Sequence, residues 1–245
     1  MCTVSFVNSN QKIIITSNRD EQIVRPSIEP KNYLINDKNI FFPKDTKAGG
    51  TWYAIDEEAN ILVLLNGASE KHEWNPPYRK SRGQIVIDII SSKSPIDAWI
   101  DINLKDIEPF TLVLFQNKKL YQLRWNGNEK ETVELDVEQN YVWSSSTLYS
   151  EEIRAQRAQW FHTFLDTTRC AAELSAAKPE VSEEEMFHFH RYAEAENSNH
   201  GLVINRNESL KTLSITQSII EKNRIQLLHH DLMEQKDFSN TFLYV

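Results

Sequence analysis

Three runs, KIIIT at 12–16, ILVLL at 61–65 and TLVLF at 111–115, are apolar at nearly every position, and they narrow the folds open to this chain more than any other feature. Successive side chains of a strand point to opposite faces, so such strands need an apolar cover on both sides. The covers are expected to be helices, and their order is informative. SRGQIVIDII (81–90) and SPIDAWIDI (94–102) read as one pair of helices, each opened by a serine N-cap, with Pro95 in the first turn of the second. EEIRAQRAQWFHTFL (151–165) and SEEEMFHFHRYAEAE (182–196) read as another pair, the latter with acidic residues where a helix dipole favours them. Helices that come in pairs between runs of strands do not fit a doubly wound parallel sheet. Two packed antiparallel sheets flanked by helix layers, an α+β arrangement, satisfy both observations.

Hairpin signals supply the strand pairs. TVSFV and KIIIT flank NSNQ, and a Ser9-Asn10 loop would set Asn8 against Gln11 and Cys2 against Ser17. The tetrad Asn18-Arg19-Asp20-Glu21 would then sit just past the strand end, beside the amino terminus. TWYAID and ILVLLN flank a second turn, with Asn66 expected opposite Thr51 and beside Gly49-Gly50. FTLVLFQ and KLYQLRW flank Asn117-Lys118, and a turn at Asn126-Gly127-Asn128 leads onward. YVWSSS, GLVIN, LKTLSITQSII and RIQLLHHDL read as later strands. Residues 22–50 read as loops with at most one short edge strand, and residues 69–80 as a loop containing a Pro-Pro stop.

With 245 residues, 40% hydrophobic and 25% charged, the chain suits a single domain over 1–245. A formal charge of −8 argues against non-specific nucleic-acid binding and against an anionic membrane surface. No run approaches the roughly eighteen apolar residues of a membrane span, and the start does not read as a signal peptide. Cys2 and Cys170 do not form a disulfide framework, so a reducing, cytoplasmic compartment is expected.

The chemistry concentrates at the start. Removal of Met1, expected before a small residue, would leave Cys2 with a free α-amine. An α-amine titrates at about 7.7–8.0, close enough to neutrality to take the thiol proton. Nucleophile and base then belong to one residue, and a nearby Arg19 favours the thiolate. The plain alternative is a small apolar residue opening a strand. Asn66-Gly67 offers an amide and a backbone N–H to an oxyanion, or is simply a turn dipeptide. Trp52, Trp74 and Tyr78 would line an acyl or flat-ring pocket, or pack as ordinary core. His188-x-His190 and His229-His230 each split across their elements, so no metal site is expected. Cys170 reads as a buried small residue.

Taken together, MCT at the start, NRDE at 18–21, AGGTW at 48–52, LLNG at 64–67 and SRG at 81–83 resemble the NRDE family, also called the transport-and-Golgi-organisation protein 2 family. The resemblance is strongest over residues 1–90. It implies the N-terminal nucleophile hydrolase fold, a four-layer αββα sandwich of two antiparallel sheets flanked by helices. The N-terminal pattern is also similar to choloylglycine hydrolases and penicillin V acylases, which cleave linear amides. By that similarity Cys2 is the nucleophile, Arg19 and Asp20 its electrostatic partners, and Asn66 an oxyanion donor. Asn18, Gly50, Trp52, Gly67, Ser145 and Arg206 fall to the substrate side. Ser145 stands where relatives tend to carry an asparagine, and Arg206 reads either as a late active-site arginine or as a solvated turn residue. No cofactor is expected. The partner is a small molecule with an acyl, amide or flat hydrophobic group. Eukaryotic relatives are associated with haem trafficking and with lipid or acyl-CoA homeostasis, which implies a second reading: a non-catalytic binding protein using the same cleft.

Overall fold

The computed structural model describes residues 3–9, 11–172 and 181–244, without the side chains of 169–172. Cys2 and the Cys170 side chain lie outside the described residues. In chain order the first strands are β1 (Thr3–Ser9), β2 (Lys12–Gln22), β3 (Ser27–Ile35), β4 (Lys38–Asp45), β5 (Tyr53–Asp56) and β6 (Ile61–Asn66). Helices α1 (Arg82–Ile90) and α2 (Pro95–Asp101) follow. Next come β7 (Phe110–Gln116), β8 (Lys119–Trp125), β9 (Lys130–Leu135) and β10 (Tyr141–Ser144). Helices α3 (Glu151–Ala172) and α4 (Glu183–Tyr192) precede β11 (Asn205–Arg206), β12 (Leu210–Glu221), β13 (Arg224–Asp231) and β14 (Lys236–Leu243).

Two antiparallel sheets result. One runs β10-β1-β2-β12-β13-β14, with β11 beside β12, and the other is the meander β3 to β9. The helix pairs cover the outer faces, α3 and α4 over the first sheet and α1 and α2 over the second. The layers are therefore αββα. As the unbroken apolar runs require, Ile15 packs in the core between the sheets, and its neighbour Ile14 packs under the outer helices with Phe161, Leu165 and Phe189. The sheets are also tied by Tyr53, whose hydroxyl reaches Ile15 O at 3.0 Å and Ser218 Oγ at 2.8 Å. The expected N-caps are present, Ser81 accepting from Gln84 N–H and Ser94 from Asp97 N–H; Ser182, which the sequence pattern did not single out, forms a capping box with Glu185. Asn117 and Lys118 both take positive φ in the tight turn between β7 and β8.

Five expectations need correction. Ser9 pairs with Lys12, and Asn8 faces Ile13 rather than Gln11. The register differs from expectation by two residues; a slip of one would turn every apolar residue to the wrong face. The tetrad does not lie beyond the strand either, because β12 continues the ladder as far as Gln22. In the second hairpin Tyr53 pairs with Val63, and Asp56 Oδ1 accepts from Glu58 N–H and Asn60 N–H, which lengthens the turn. Asn66 therefore does not face Thr51; it pairs with Phe110 of β7. Residues 27–45 form two strands where loops with at most one edge strand were expected: β3 is the sheet edge and β4 lies inside it, joined through Asn36 and Asp37, both at positive φ, with a register break between Ile28 and Lys31 around Pro30. GLVIN contributes only the short β11. Its Gly201 packs so tightly that an added Cβ would lie 2.3 Å from Glu194 O.

Candidate active site

The four tetrad residues are all buried within β2, and strand alternation sends them to two different places. Asn18 points to the outer helices. Its amide donates to His190 O at 2.9 Å and Leu202 O at 2.7 Å, and its Oδ1 accepts from His190 Nδ1 at 2.5 Å. His190 Nε2 in turn accepts from the Ser5 hydroxyl at 2.7 Å. Burial, with the Arg157 charge adding to it, pushes the His190 pKa down to about 3, so the ring is neutral with its proton on Nδ1. Ser5-His190-Asn18 has the order of a nucleophilic triad, but all three side chains are wholly buried. Asn18 is a clasp between β2 and α4, and its assignment to the substrate side is corrected.

Asp20 lies on the same face. One carboxylate oxygen accepts from the Tyr149 hydroxyl at 2.7 Å and the other from the Thr212 hydroxyl at 2.6 Å. The Tyr149 ring carries two guanidinium groups, Arg157 at 3.7 Å and Arg206 at 5.1 Å from its centroid. Burial, and then the Asp20 charge, raise the Tyr149 pKa well above its ordinary value, so its proton stays in the bond to Asp20. Arg206 also donates to Asn199 O at 2.9 Å and to Leu148 O at 3.3 Å. It is half-buried against Tyr149, and of the two readings the solvated turn arginine does not hold.

Arg19 and Glu21 turn the other way. Arg19, 1% exposed, donates to Arg25 O at 3.0 Å and to Asp45 Oδ2 at 3.1 Å, and lies 4.3 Å from the centroid of the Trp52 ring. Arg25 binds the same Asp45 oxygen at 2.8 Å and Glu21 at 3.0 Å. The other Asp45 oxygen accepts the N–H groups of Lys47 and Ala48, so one carboxylate holds two guanidinium groups and the turn into AGGTW. That turn needs its glycines. Gly49 takes φ +70°, and a Cβ on Gly50 would fall 2.3 Å from the carbonyl carbon of Gly83. Thr51 N–H donates to Gly83 O at 3.1 Å, so the AGGTW and SRG motifs meet backbone to backbone and seat the α1 N-terminus here.

These elements enclose a cleft of about 480 Å³ whose walls include Arg19, Gly50, Trp52, Asn66, Tyr78 and Arg82. Arg82 binds Glu108 at 3.0 Å, and burial lowers its pKa against that attraction. Asn66 is 6% exposed, its Oδ1 is buried without a partner, and its side chain makes no hydrogen bond among the described residues. The Trp52 Nε1–H is likewise buried and unpartnered. Gly67 differs from expectation: its N–H is committed to Pro109 O at 3.0 Å and is no oxyanion donor. Its φ of +83° and its contact with Ser146, whose Oγ would lie 2.2 Å from a Cβ, explain the glycine instead. Ser145 is buried and donates to Asn66 O at 2.7 Å, which fixes the backbone under the Asn66 side chain. Trp74 is 74% exposed and does not line the cleft.

The cleft thus gathers Arg19, Gly50, Trp52 and Asn66. Asp20 and Arg206 sit behind β2, and Gly67 and Ser145 behind β6. Thr3, which follows Cys2, pairs with Asn18. Asp45 and Arg25 were missed in the sequence; the signal available was an aspartate shortly before Gly49-Gly50, a turn-capping pattern. His229 is a core residue bonded to the Thr216 hydroxyl at 2.9 Å, its pKa pushed down to about 3 chiefly by burial.

Solved structures show where this fold recurs. A variant of conjugated bile acid hydrolase from Clostridium perfringens carrying a cysteine-to-alanine change aligns over 100% of this chain and 97% of its own, with a TM-score of 0.57 and 10% identity. A variant of the same enzyme with an arginine-to-leucine change gives a TM-score of 0.60 at 10% identity, over 100% and 97% of the two chains. The N-acylethanolamine-hydrolyzing acid amidase orthologue of Caenorhabditis elegans gives a TM-score of 0.60 at 12% identity, over 88% and 92%. At these identities the likeness is one of fold, that of the N-terminal nucleophile hydrolases. No curated protein matches the sequence. The Transport and Golgi organisation 2 family model matches residues 1–227, and the chain belongs to that family.

Proposed function

We propose that the protein is an N-terminal cysteine hydrolase of a linear amide or related acyl bond, with Cys2 as nucleophile once Met1 is removed. The α-amine takes the thiol proton, and the thiolate attacks the substrate carbonyl carbon. Negative charge then moves to the carbonyl oxygen, where the Asn66 amide N–H donates to it. Collapse of the tetrahedral species breaks the carbon–nitrogen bond, and the α-ammonium returns its proton to the departing amine. Water, deprotonated by the same α-amine, hydrolyses the thioester and regenerates the thiol. Arg19 favours the thiolate by Coulombic attraction. Asp20 acts from behind the strand, through its buried bonds to Tyr149 and Thr212.

The observation that carries this reading is Asn66. Its side chain has no hydrogen bond among the described residues, is nearly buried and shares a cleft with Arg19. The Nδ2 group, which makes no hydrogen bond among the described residues, is left to donate to a ligand oxygen, while the buried Oδ1 calls for a ligand donor, since leaving it unpaired costs about 1–3 kcal/mol. Trp52, Leu64 and Tyr78 supply an apolar wall for the acyl part. The fold neighbours are named as hydrolases of conjugated bile acids and of N-acylethanolamines, which agrees with an acyl-amide substrate. No helix among the described residues is long and apolar enough to cross a membrane, and we place the enzyme in the cytoplasm. Turnover of a panel of N-acyl amides by the wild type and by Cys2→Ala tests the proposal. Activity confined to the wild type is expected, and equal activity in both would end it.

A further inference from the structure

A second cavity, of about 160 Å³, opens on the other side of β6 from the cleft. Leu64 and Asn66 line the cleft, whereas Leu65 and Gly67 line this cavity, as strand alternation dictates. Two cations face it: Arg124 of β8 and Arg154 in the first turns of α3. In each, the Nε–H is buried and has no hydrogen-bond partner among the described residues. Arg154 spends a terminal nitrogen on Ser69 O at 2.8 Å. Arg124 touches Glu131 at 3.3 Å, but that carboxylate is 56% exposed and so weakly held. The neutral donors are already used, the Thr111 hydroxyl on Gly67 O at 2.9 Å and the Ser145 hydroxyl on Asn66 O at 2.7 Å. What the cavity lacks is an acceptor for two guanidinium groups.

We propose that this cavity binds a small oxyanion, a carboxylate, sulfonate or phosphate, through Arg124 and Arg154. Charge-assisted bonds from planar guanidinium groups suit such an ion, and the space is too small for an acyl chain. The occupant is either a free ion or the charged end of a substrate lying across Asn66-Gly67. The second case rests on the proposed function, and the first does not.

Calorimetry with inorganic phosphate, on wild type, Arg124→Gln and Arg154→Gln, tests the site without reference to activity. Millimolar or tighter binding, weakened at least about ten-fold in each variant, is expected. Circular dichroism confirms that each variant is folded. Absence of binding in the wild type, or binding that survives both changes and is lost in Lys80→Gln of the main cleft, would overturn the assignment. Binding of N-decanoylglycine and its neutral amide to the Cys2→Ala protein separates the two sources. A preference for the acid that Arg154→Gln abolishes identifies a substrate end. Phosphate binding without that preference identifies a free ion. If hydrolysis is never found but phosphate binds as described, the proposed function fails and the anion site stands.

Discussion

Arg19 and Asp20 are consecutive in the chain, yet they serve opposite faces of β2: Arg19 reaches Asp45 at 3.1 Å on the cleft side, and Asp20 takes the Tyr149 hydroxyl at 2.7 Å on the helix side. The NRDE tetrad is therefore two devices interleaved by strand alternation. Asn18 and Asp20 anchor β2 to the outer layer, and Arg19 and Glu21 build the cleft wall with Arg25 and Asp45.

Asn66→Ala separates chemistry from stability. Because the side chain makes no hydrogen bond among the described residues and its buried Oδ1 has no partner there, truncation should not destabilise the fold by more than about 0.5 kcal/mol in urea. Loss of an oxyanion donor should lower kcat by about 10²–10³-fold. A large stability loss with kcat unchanged would show that the amide is structural.

Asn18→Ala should behave in the reverse way. It removes two donors from buried carbonyls and leaves the His190 Nδ1–H unpaired, so a loss of about 3 kcal/mol or more is expected. KM should be unchanged in the fraction that folds. A raised KM with normal stability would return Asn18 to the substrate side.

Gly49 and Gly50 should differ sharply. A Cβ on Gly49 meets open space, so Gly49→Ala costs only its strained φ of +70°, about 1 kcal/mol. Gly50→Ala drives a Cβ to 2.3 Å from Gly83 backbone and must push α1 off the cleft, with a loss of more than about 3 kcal/mol. Similar melting temperatures for the two variants would contradict the close approach of AGGTW and SRG.

Acid should weaken the fold through two histidines. His190 and His229 fall from 6.5 to about 3 on folding, so their neutral forms stabilise the protein fully above about pH 6.5. That stability is lost as pH falls toward 3, at about 1.4 kcal/mol per unit for each group. Between pH 7 and 5 the pair should cost up to about 4 kcal/mol in urea unfolding, and His229→Gln should remove about half. A flat profile would mean that the two rings keep their ordinary pKa values on folding.

What the sequence disclosed depended on whether local pattern or distant partners decided the outcome. Unbroken apolar runs and serine caps are local, and they led directly to covered sheets and paired helices. β3 reads as loop because it is polar, half-exposed and interrupted by Pro30, although Asn36-Asp37 marks its turn into β4. Motif spacing picked out Arg19, Gly50, Trp52 and Asn66, which share one cleft, but spacing does not say which face of β2 meets that cleft. Asn18 was therefore misassigned, and Gly67 was given an N–H that Pro109 O already holds. Asp45 went unnoticed because its partner Arg19 lies 26 residues away. Arg157 lies on the buried face of α3 with Phe161 and Leu165, where a charged residue adds nothing to an apolar periodicity.

The central claim is that Cys2 becomes an N-terminal nucleophile beside Arg19 and Asn66. Intact-mass spectrometry of the purified protein, before and after incubation with an activated acyl ester, tests it most directly. The account predicts a chain lacking Met1 that gains one acyl group on the Cys2 peptide, and no gain in Cys2→Ala. A chain that keeps Met1 and remains unacylated would contradict it.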